Sequence, residues 1–346
     1  MSSPIDPLRR RLLAATAALV AAPLPAQPHS RPAPPRWPHP TLNGAPPLVI
    51  AHRGASGYRP EHTLAAYELA IEQGADFIEP DLVVTRDGAL IARHENELSL
   101  TTDVAARPEF AARRRTQRVD GREVSGWFSE DFTLDEIRRL RARERFARER
   151  PRNAELDGRF GIATFDEIVA LARRAHEAGR RPGIYPELKH AQHFAALGLA
   201  PAPLLARALK AADGLPLYVQ SFEPAALQQL AELSSVPRVM LLARAPTAAE
   251  LRELAQRVQG IGVAKALVYP RDAAGAISAP TALVAEAHAL GLAVHAWTFR
   301  NEDAFLPSNL RGQPERELER FFAAGVDGVF CDFPDTAVAV RQQQAR

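Results

Sequence analysis

Residues 48–94 read LVIAHRGASGYRPEHTLAAYELAIEQGADFIEPDLVVTRDGALIARH, and the order of elements in this stretch decides the fold. Leu48–His52 is a short apolar run of strand character. A helical pattern over 61–73 ends at Gly74, and residues 76–83 are strand-like again. Strand, helix and strand in close succession place two strands parallel in one sheet, with the helix against its face.

The alternation continues along the chain. Further strands are expected at 89–94, 182–188, 216–220, 237–242, 266–269, 292–297 and 327–331. Helices are expected at 164–179, 201–212, 223–234, 247–258, 279–290 and 315–324. Gly74, Gly179, Gly260, Gly291 and Gly325 follow the helical patterns, where a left-handed residue closes a helix and glycine alone avoids a steric penalty. So many β/α units favour an α/β fold of the closed (β/α)8 TIM-barrel type. An open doubly wound sheet is the alternative, but no glycine-rich phosphate loop follows the first strand.

One unit breaks the pattern. Only Thr85-Arg86-Asp87-Gly88 separates the second and third strand-like runs, which is a turn and not a helix. If the two runs pair as a hairpin, Asp81 falls opposite Arg93 and Glu79 opposite Glu95, with His94 beside both acids. The long excursion 96–160 then follows the third strand as an insertion, with a short helix near 135–140 and an arginine-rich stretch at 138–152. It is either a cap over the barrel mouth or a solvated charged loop.

The amino terminus is a separate object. Arg9-Arg10-Arg11, the apolar run 12–22 and Leu24-Pro25-Ala26 have the layout of an export signal over residues 1–26, by the Sec or the twin-arginine route. The apolar run falls short of the ~20 residues needed to span a membrane. Residues 27–47 are rich in proline and read as a disordered linker, the barrel as 48–340, and 341–346 as a tail. A formal charge of +2 over 346 residues gives no basic field for nucleic acid or an anionic membrane. Cys331 is the only cysteine, so no intramolecular disulfide forms.

Chemistry concentrates at the ends of the expected strands. His52 and His94 each close an apolar run, and imidazoles there suit proton transfer near neutral pH. Glu79 and Asp81 stand two apart, so on a strand they share a side. Glu187 supplies a third carboxylate from Tyr185-Pro186-Glu187-Leu188-Lys189. Together the three could hold Ca2+ or Mg2+, or else pair with Arg53 and Lys189 without metal. Arg53 can fork onto a phosphate. A guanidinium, an ammonium, two imidazoles and a divalent cation match a phosphodiester, whose anionic oxygens need neutralising and whose leaving alkoxide needs a proton. Trp297 could wall the pocket or pack in the core, and Gln220-Ser221 ends another run. Asp332-Phe333-Pro334-Asp335 reads as a turn with a helix cap, and His295 as structural or exposed.

Taken in order, His52-Arg53-Gly54-Ala55, Pro60-Glu61-His62-Thr63, Glu79-Pro80-Asp81, His94, the 185–189 segment and 332–335 resemble the glycerophosphodiester phosphodiesterases, most of all their exported, periplasmic branch. The resemblance implies a TIM barrel that hydrolyses deacylated phospholipid headgroup diesters to sn-glycerol 3-phosphate and an alcohol. It implies His52 as proton acceptor and His94 as proton donor, Glu79, Asp81 and Glu187 as metal ligands, Arg53 as phosphate contact and Glu61 as a site-proximal acid. One divalent cation is expected, Ca2+ ahead of Mg2+. Lys189, Glu61 and Trp297 join Arg53 as expected substrate-binding residues. The expected partner is a small glycerophosphodiester, with no nucleic acid and no stable membrane insertion. Two rivals stand beside this reading: a phospholipase D-like barrel on lysophospholipid or sphingomyelin, and an exported binding protein for glycerophosphodiesters.

Overall fold

A computed structural model describes residues 37–346. The expected export signal, 1–26, and the first part of the expected linker lie outside the described residues. Among the described residues no helix is long and apolar enough to cross a membrane.

Among the described residues thirteen strands occur in chain order: β1 Leu48–His52, β2 Phe77–Glu79, β3 Asp81–Val84, β4 Leu90–Ala92, β5 Arg115–Val119, β6 Arg122–Gly126, β7 Gly183–Ile184, β8 Glu187–Leu188, β9 Val219–Ser221, β10 Arg238–Leu242, β11 Gly260–Ala264, β12 Ala293–Phe299 and β13 Gly328–Cys331. Two of the expected strands are each split by a proline. Pro80 separates β2 from β3, and Tyr185-Pro186 separates β7 from β8. A proline cannot donate to the ladder, but its carbonyl still accepts. Pro80 O takes the Glu187 N–H at 2.9 Å, and Pro186 O takes that of Gln220 at 2.9 Å. The pairing therefore runs through both breaks.

With β2/β3 and β7/β8 each counted as one strand, every neighbouring pair is parallel and the sheet closes. β1 pairs with β13 on one side and β2 on the other, and the order proceeds through β7/β8, β9, β10, β11 and β12 back to β13. This is the expected eight-stranded α/β barrel. Ile50, Phe77, Tyr185, Val239 and Phe330 fill its centre, with His295 bonded to the Tyr185 hydroxyl at 2.9 Å. His295 is buried and structural.

β4 is antiparallel to β3, with Leu82 opposite Ala92 and the Arg93 N–H on Asp81 O at 2.9 Å. The hairpin register follows the sequence reading. β4 is thus an outer arm and not a barrel strand, so the insertion after it occupies the loop between the second barrel strand and the helix Phe165–Glu177. It carries the β5–β6 hairpin and the short helices Leu134–Ile137 and Pro151–Ala154.

Helix boundaries follow local chemistry. The Thr63 side chain accepts from Ala66 N at 3.1 Å, and Thr164 and Thr247 form reciprocal capping boxes with Glu167 and Glu250. Gly74, Gly179, Gly291 and Gly325 hold positive φ as expected. Gly260 does not: it opens β11, where a Cβ would stand 2.9 Å from Ala293 O. The strand expected at 266–269 is correspondingly displaced. Lys265–Val268 is a helical turn, and the glycine-containing run 260–264 is the strand.

The expected linker also differs from Trp37 onward. The Trp37 ring is buried and meets Phe322 edge-on at 6.0 Å, and the Leu42 N–H donates to Asp327 Oδ1 at 2.7 Å. Residues 37–47 are therefore docked on the barrel by an aromatic anchor among the prolines. Replacing Trp37 by Ala should cost about 3 kcal/mol, as for other buried tryptophans. Urea denaturation reads this directly; an unchanged midpoint would return the segment to the status of a linker.

Candidate active site

The functional side chains sit at the carboxyl ends of the barrel strands, around a cavity of about 500 Å3 lined by His52, Arg53, Glu79, His94, Glu187 and Gln220, among others. His52 is the last residue of β1. Its Nδ1 lies 2.7 Å from Oδ1 of Asp332, the residue after β13. Burial works against the Asp332 charge, but Arg300 and Arg150 outweigh it and hold the carboxyl well below its usual range. An ionised carboxylate only accepts, so Nδ1 carries the proton and Nε2 keeps its lone pair. Burial first, and then the Arg53 charge, lowers His52 to about 4, so the ring is neutral at pH 7.

His94 repeats the arrangement. Its Nδ1 is 2.6 Å from Glu95 Oε1. Burial opposes the Glu95 charge, but hydrogen bonds from His94 and Arg145 keep it ionised. Burial, Arg53 and Lys189 lower His94 to about 3. Both rings therefore present Nε2 to a substrate while their other nitrogen is fixed.

Arg53 has left-handed backbone, φ 62°, which a non-glycine residue adopts at a cost of about 1–3 kcal/mol. The conformation turns its N–H toward Glu79, whose Oε2 accepts at 2.9 Å and whose carbonyl accepts at 3.0 Å. Its guanidinium reaches Glu61 Oε2 at 3.0 Å and Asp81 Oδ2 at 3.1 Å. His62, also left-handed, holds Asp81 Oδ2 at 2.9 Å through Nε2 and meets the Tyr67 hydroxyl through Nδ1 at 2.8 Å.

Glu79, Asp81 and Glu187 each offer an oxygen within 4.8 Å of the others, and all three are buried. Such crowding is unfavourable without a cation. Burial and the neighbouring Asp81 and Glu187 charges push Glu79 well up, and burial with Asp81 raises Glu187 to about 8 despite Lys189. Asp81 goes the other way, because Arg53 and Lys189 outweigh its burial. Gln220 donates to Glu79 Oε1 at 3.1 Å, while its own Oε1 is buried without a partner. An all-oxygen donor set with a spare buried carbonyl fits a hard divalent cation.

The remaining expected site residues divide. Trp297 lines the cavity, edge-on to Phe222 at 5.7 Å. Lys189 sits on Glu187 at 2.9 Å and off the cavity wall, and Glu61 lies behind Arg53, so neither is placed to line the pocket. Across the mouth, Lys265, Arg271 and Arg300 line the wall opposite the acids. The sequence reading quoted His62 and Asp332 in its motifs, Gln220 at a strand end and Glu95 in the hairpin register, but gave none of them a part in the site. Glu95 adjoins His94 in the chain, whereas Asp332 is 280 residues from His52.

The chemistry collected at this mouth is that of a hydrolase working on phosphoric diesters. Known proteins give the particular family. The model of the glycerophosphoryl diester phosphodiesterase family matches residues 52–336, and the chain belongs to that family. It is 36% identical to a glycerophosphodiester phosphodiesterase of Arabidopsis thaliana over 318 residues, covering 83% of this chain and 84% of the relative. Two solved structures share the fold. One, from Silicibacter pomeroyi DSS-3, has a TM-score of 0.65 at 23% identity and covers 90% of this chain and 97% of its own. The other, an Oleispira antarctica phosphodiesterase in complex with the product sn-glycerol-3-phosphate, has a TM-score of 0.60 at 22% identity, covering 87% and 99%.

The triad makes stability depend on pH in a definite sense. Glu187 is raised in the folded state from 4.5 to about 8, so its contribution is fully present below 4.5 and is lost as pH rises through about 8. Glu79 shifts in the same direction. Because the buried histidines His52, His94 and His295, lowered from 6.5, act in the opposite sense below about pH 6.5, the metal-free protein should melt at lower temperature as pH goes from about 7 to 8. Added divalent cation should raise the midpoint more at pH 8 than at pH 5, because the ligands must be deprotonated to bind it. A cation effect independent of pH across this window would contradict the assignment.

Proposed function

We propose that this chain hydrolyses glycerophosphodiesters, the deacylated headgroup diesters of phospholipids, to sn-glycerol 3-phosphate and an alcohol, with one divalent cation and a histidine pair. The observation that carries the reading is the convergence on one cavity of two imidazoles, each with a carboxylate on Nδ1, beside Arg53 and the acidic triad. The names of the relatives support the substrate class.

Glu79, Asp81 and Glu187 would hold the cation, with Ca2+ expected ahead of Mg2+. When bound, it supplies Lewis-acid neutralisation of the phosphate oxygens. Arg53, fixed by Glu61 and Asp81, shares that neutralisation from a rigid position. His52, neutral and with its Nε2 lone pair free, takes the proton of the attacking hydroxyl, and the Asp332 carboxylate stabilises the imidazolium that forms. His94 returns a proton through Nε2 to the departing alkoxide, its cationic form supported by Glu95. The anionic phosphate favours that cationic form and offsets the depression caused by Arg53 and Lys189. Trp297 and Phe222 give the bound diester an apolar wall. Export to the periplasm is part of the proposal, supported by the basic and apolar pattern of residues 9–26.

The test is turnover of glycerophosphocholine by the purified protein. EDTA should abolish release of glycerol 3-phosphate and Ca2+ add-back should restore it. His52→Ala and His94→Ala should each lower kcat by roughly 10^2–10^4, the range for positioned acids and bases. Full metal-dependent activity in a folded His52→Ala variant would overturn the assignment.

A further inference from the structure

The insertion 96–160 was expected to act as a cap or as a solvated loop, and two of its arginines do neither. Arg145 and Arg150 come from the arginine-rich stretch and point into the barrel mouth, their side chains 12% and 4% exposed. The Arg145 fork spans two carboxylates. It donates from Nε and one terminal nitrogen to both Glu61 oxygens, each at 2.8 Å, and reaches the two Glu95 oxygens at 2.9 and 2.7 Å. Glu95 is the acid on His94, and Glu61 is the acid on Arg53.

Arg150 plays the matching part on the other histidine. One terminal nitrogen donates to Asp332 Oδ2 at 2.5 Å and the other to Ser56 O at 2.9 Å, while Nε bonds Glu302. Asp332 gives its remaining oxygen to His52. Ser56 belongs to the loop that follows His52, and its hydroxyl donates back to His52 O at 2.8 Å. Each histidine is thus backed by a carboxylate, and each carboxylate is gripped by an arginine from the same inserted segment.

We propose that the insertion is a catalytic-geometry clamp: Arg145 and Arg150 are positioning residues that fix the orientation and tautomer of His94 and His52 through Glu95 and Asp332. The inference rests on the acid–base reading of the two histidines given above. Its physical basis is the directionality of the guanidinium fork. A carboxylate with one oxygen on an imidazole rotates freely unless its other contacts hold its plane. Arg145 holds Glu95 bidentately. Arg150 holds Asp332 Oδ2 through one nitrogen of a fork anchored on Ser56 O and Glu302, beside the Arg300 Nε bond at 2.8 Å. An ammonium offers no such fixed direction. Loss of such outer contacts in comparable sites lowers activity 10–100-fold. Neither arginine lines the cavity, so substrate binding should be almost untouched.

The experiment uses the full chain with Arg145→Gln, Arg150→Gln and the corresponding Lys variants, assayed on glycerophosphocholine with Ca2+. Each Gln variant should lower kcat by about 10–100-fold with KM within about threefold, and the Lys variants should recover only part of the loss. Long-range proton–nitrogen spectra of the imidazoles supply a readout independent of turnover. The parent protein should show both rings with the proton on Nδ1. Arg145 variants should disturb the His94 signals alone, and Arg150 variants those of His52 alone.

Unchanged kcat and unchanged tautomers in a folded variant would overturn the clamp. So would a loss carried by KM alone, or disturbance of both rings by either substitution. If a Gln variant does not fold, the Lys variant, which keeps the charge, carries the same comparison. If the parent hydrolyses no glycerophosphodiester, the functional reading fails, while the imidazole spectra still decide whether the arginines set the rings.

Discussion

The repulsion among three buried carboxylates organises this molecule. Glu79 and Asp81 share one strand and Glu187 stands on the next, close enough for one ion to touch all three. Nothing in hydrophobic packing favours that arrangement, and it persists because cationic groups surround it. Arg53 reaches Asp81, Lys189 reaches Glu187, and Gln220 donates to Glu79. The two proline breaks belong to the same design. By interrupting the strands next to the acids while keeping the carbonyls in the ladder, Pro80 and Pro186 let the barrel close around a cluster of charge.

The same logic extends outward in alternating sign. Acids of the triad are met by Arg53, Arg53 by Glu61, and Glu61 by Arg145. On the far side His52 is met by Asp332, and Asp332 by Arg150 and Arg300. Removing one member of such a buried chain leaves its neighbour uncompensated, which is costlier than the pairing itself is stabilising. The gain is rigidity: two imidazoles and a guanidinium are held in one orientation before substrate arrives, which is where electrostatic preorganisation acts.

The sequence carries the barrel because parallel strands buried on both faces appear as short apolar runs between helices. It carries His52, His94 and Glu187 because each ends such a run, and Glu79 and Asp81 because they stand two apart within one. It does not carry β11, whose Gly260 and Gly262 look like breakers; a Cβ on either would meet Ala293 O or Leu241, so their lack of side chain is a packing requirement. The β-favouring residues of 266–269 outscore them and draw the expected strand out of place. Trp37 escapes notice for a related reason, since proline-rich surroundings read as linker while the indole docks on Phe322. Asp332 resembles a helix cap locally, and Arg150 resembles one charge among many. Their meaning lies in contacts across 280 and 182 residues, which spacing cannot express.

Closure between β1 and β13 has a consequence for the life of the chain. His52 lies at the start of the barrel, and the carboxylate that orients it arrives only with the last strand. Intermediate segments cannot substitute, because the two strands are neighbours only when the ring is complete. A nascent or truncated chain ending before Asp332 holds the acidic triad and both histidines yet lacks the carboxylate on His52 Nδ1. Hydrolytic competence is therefore a property of the finished polypeptide. The geometry itself thus delays reactivity until the last strand of the barrel is in place.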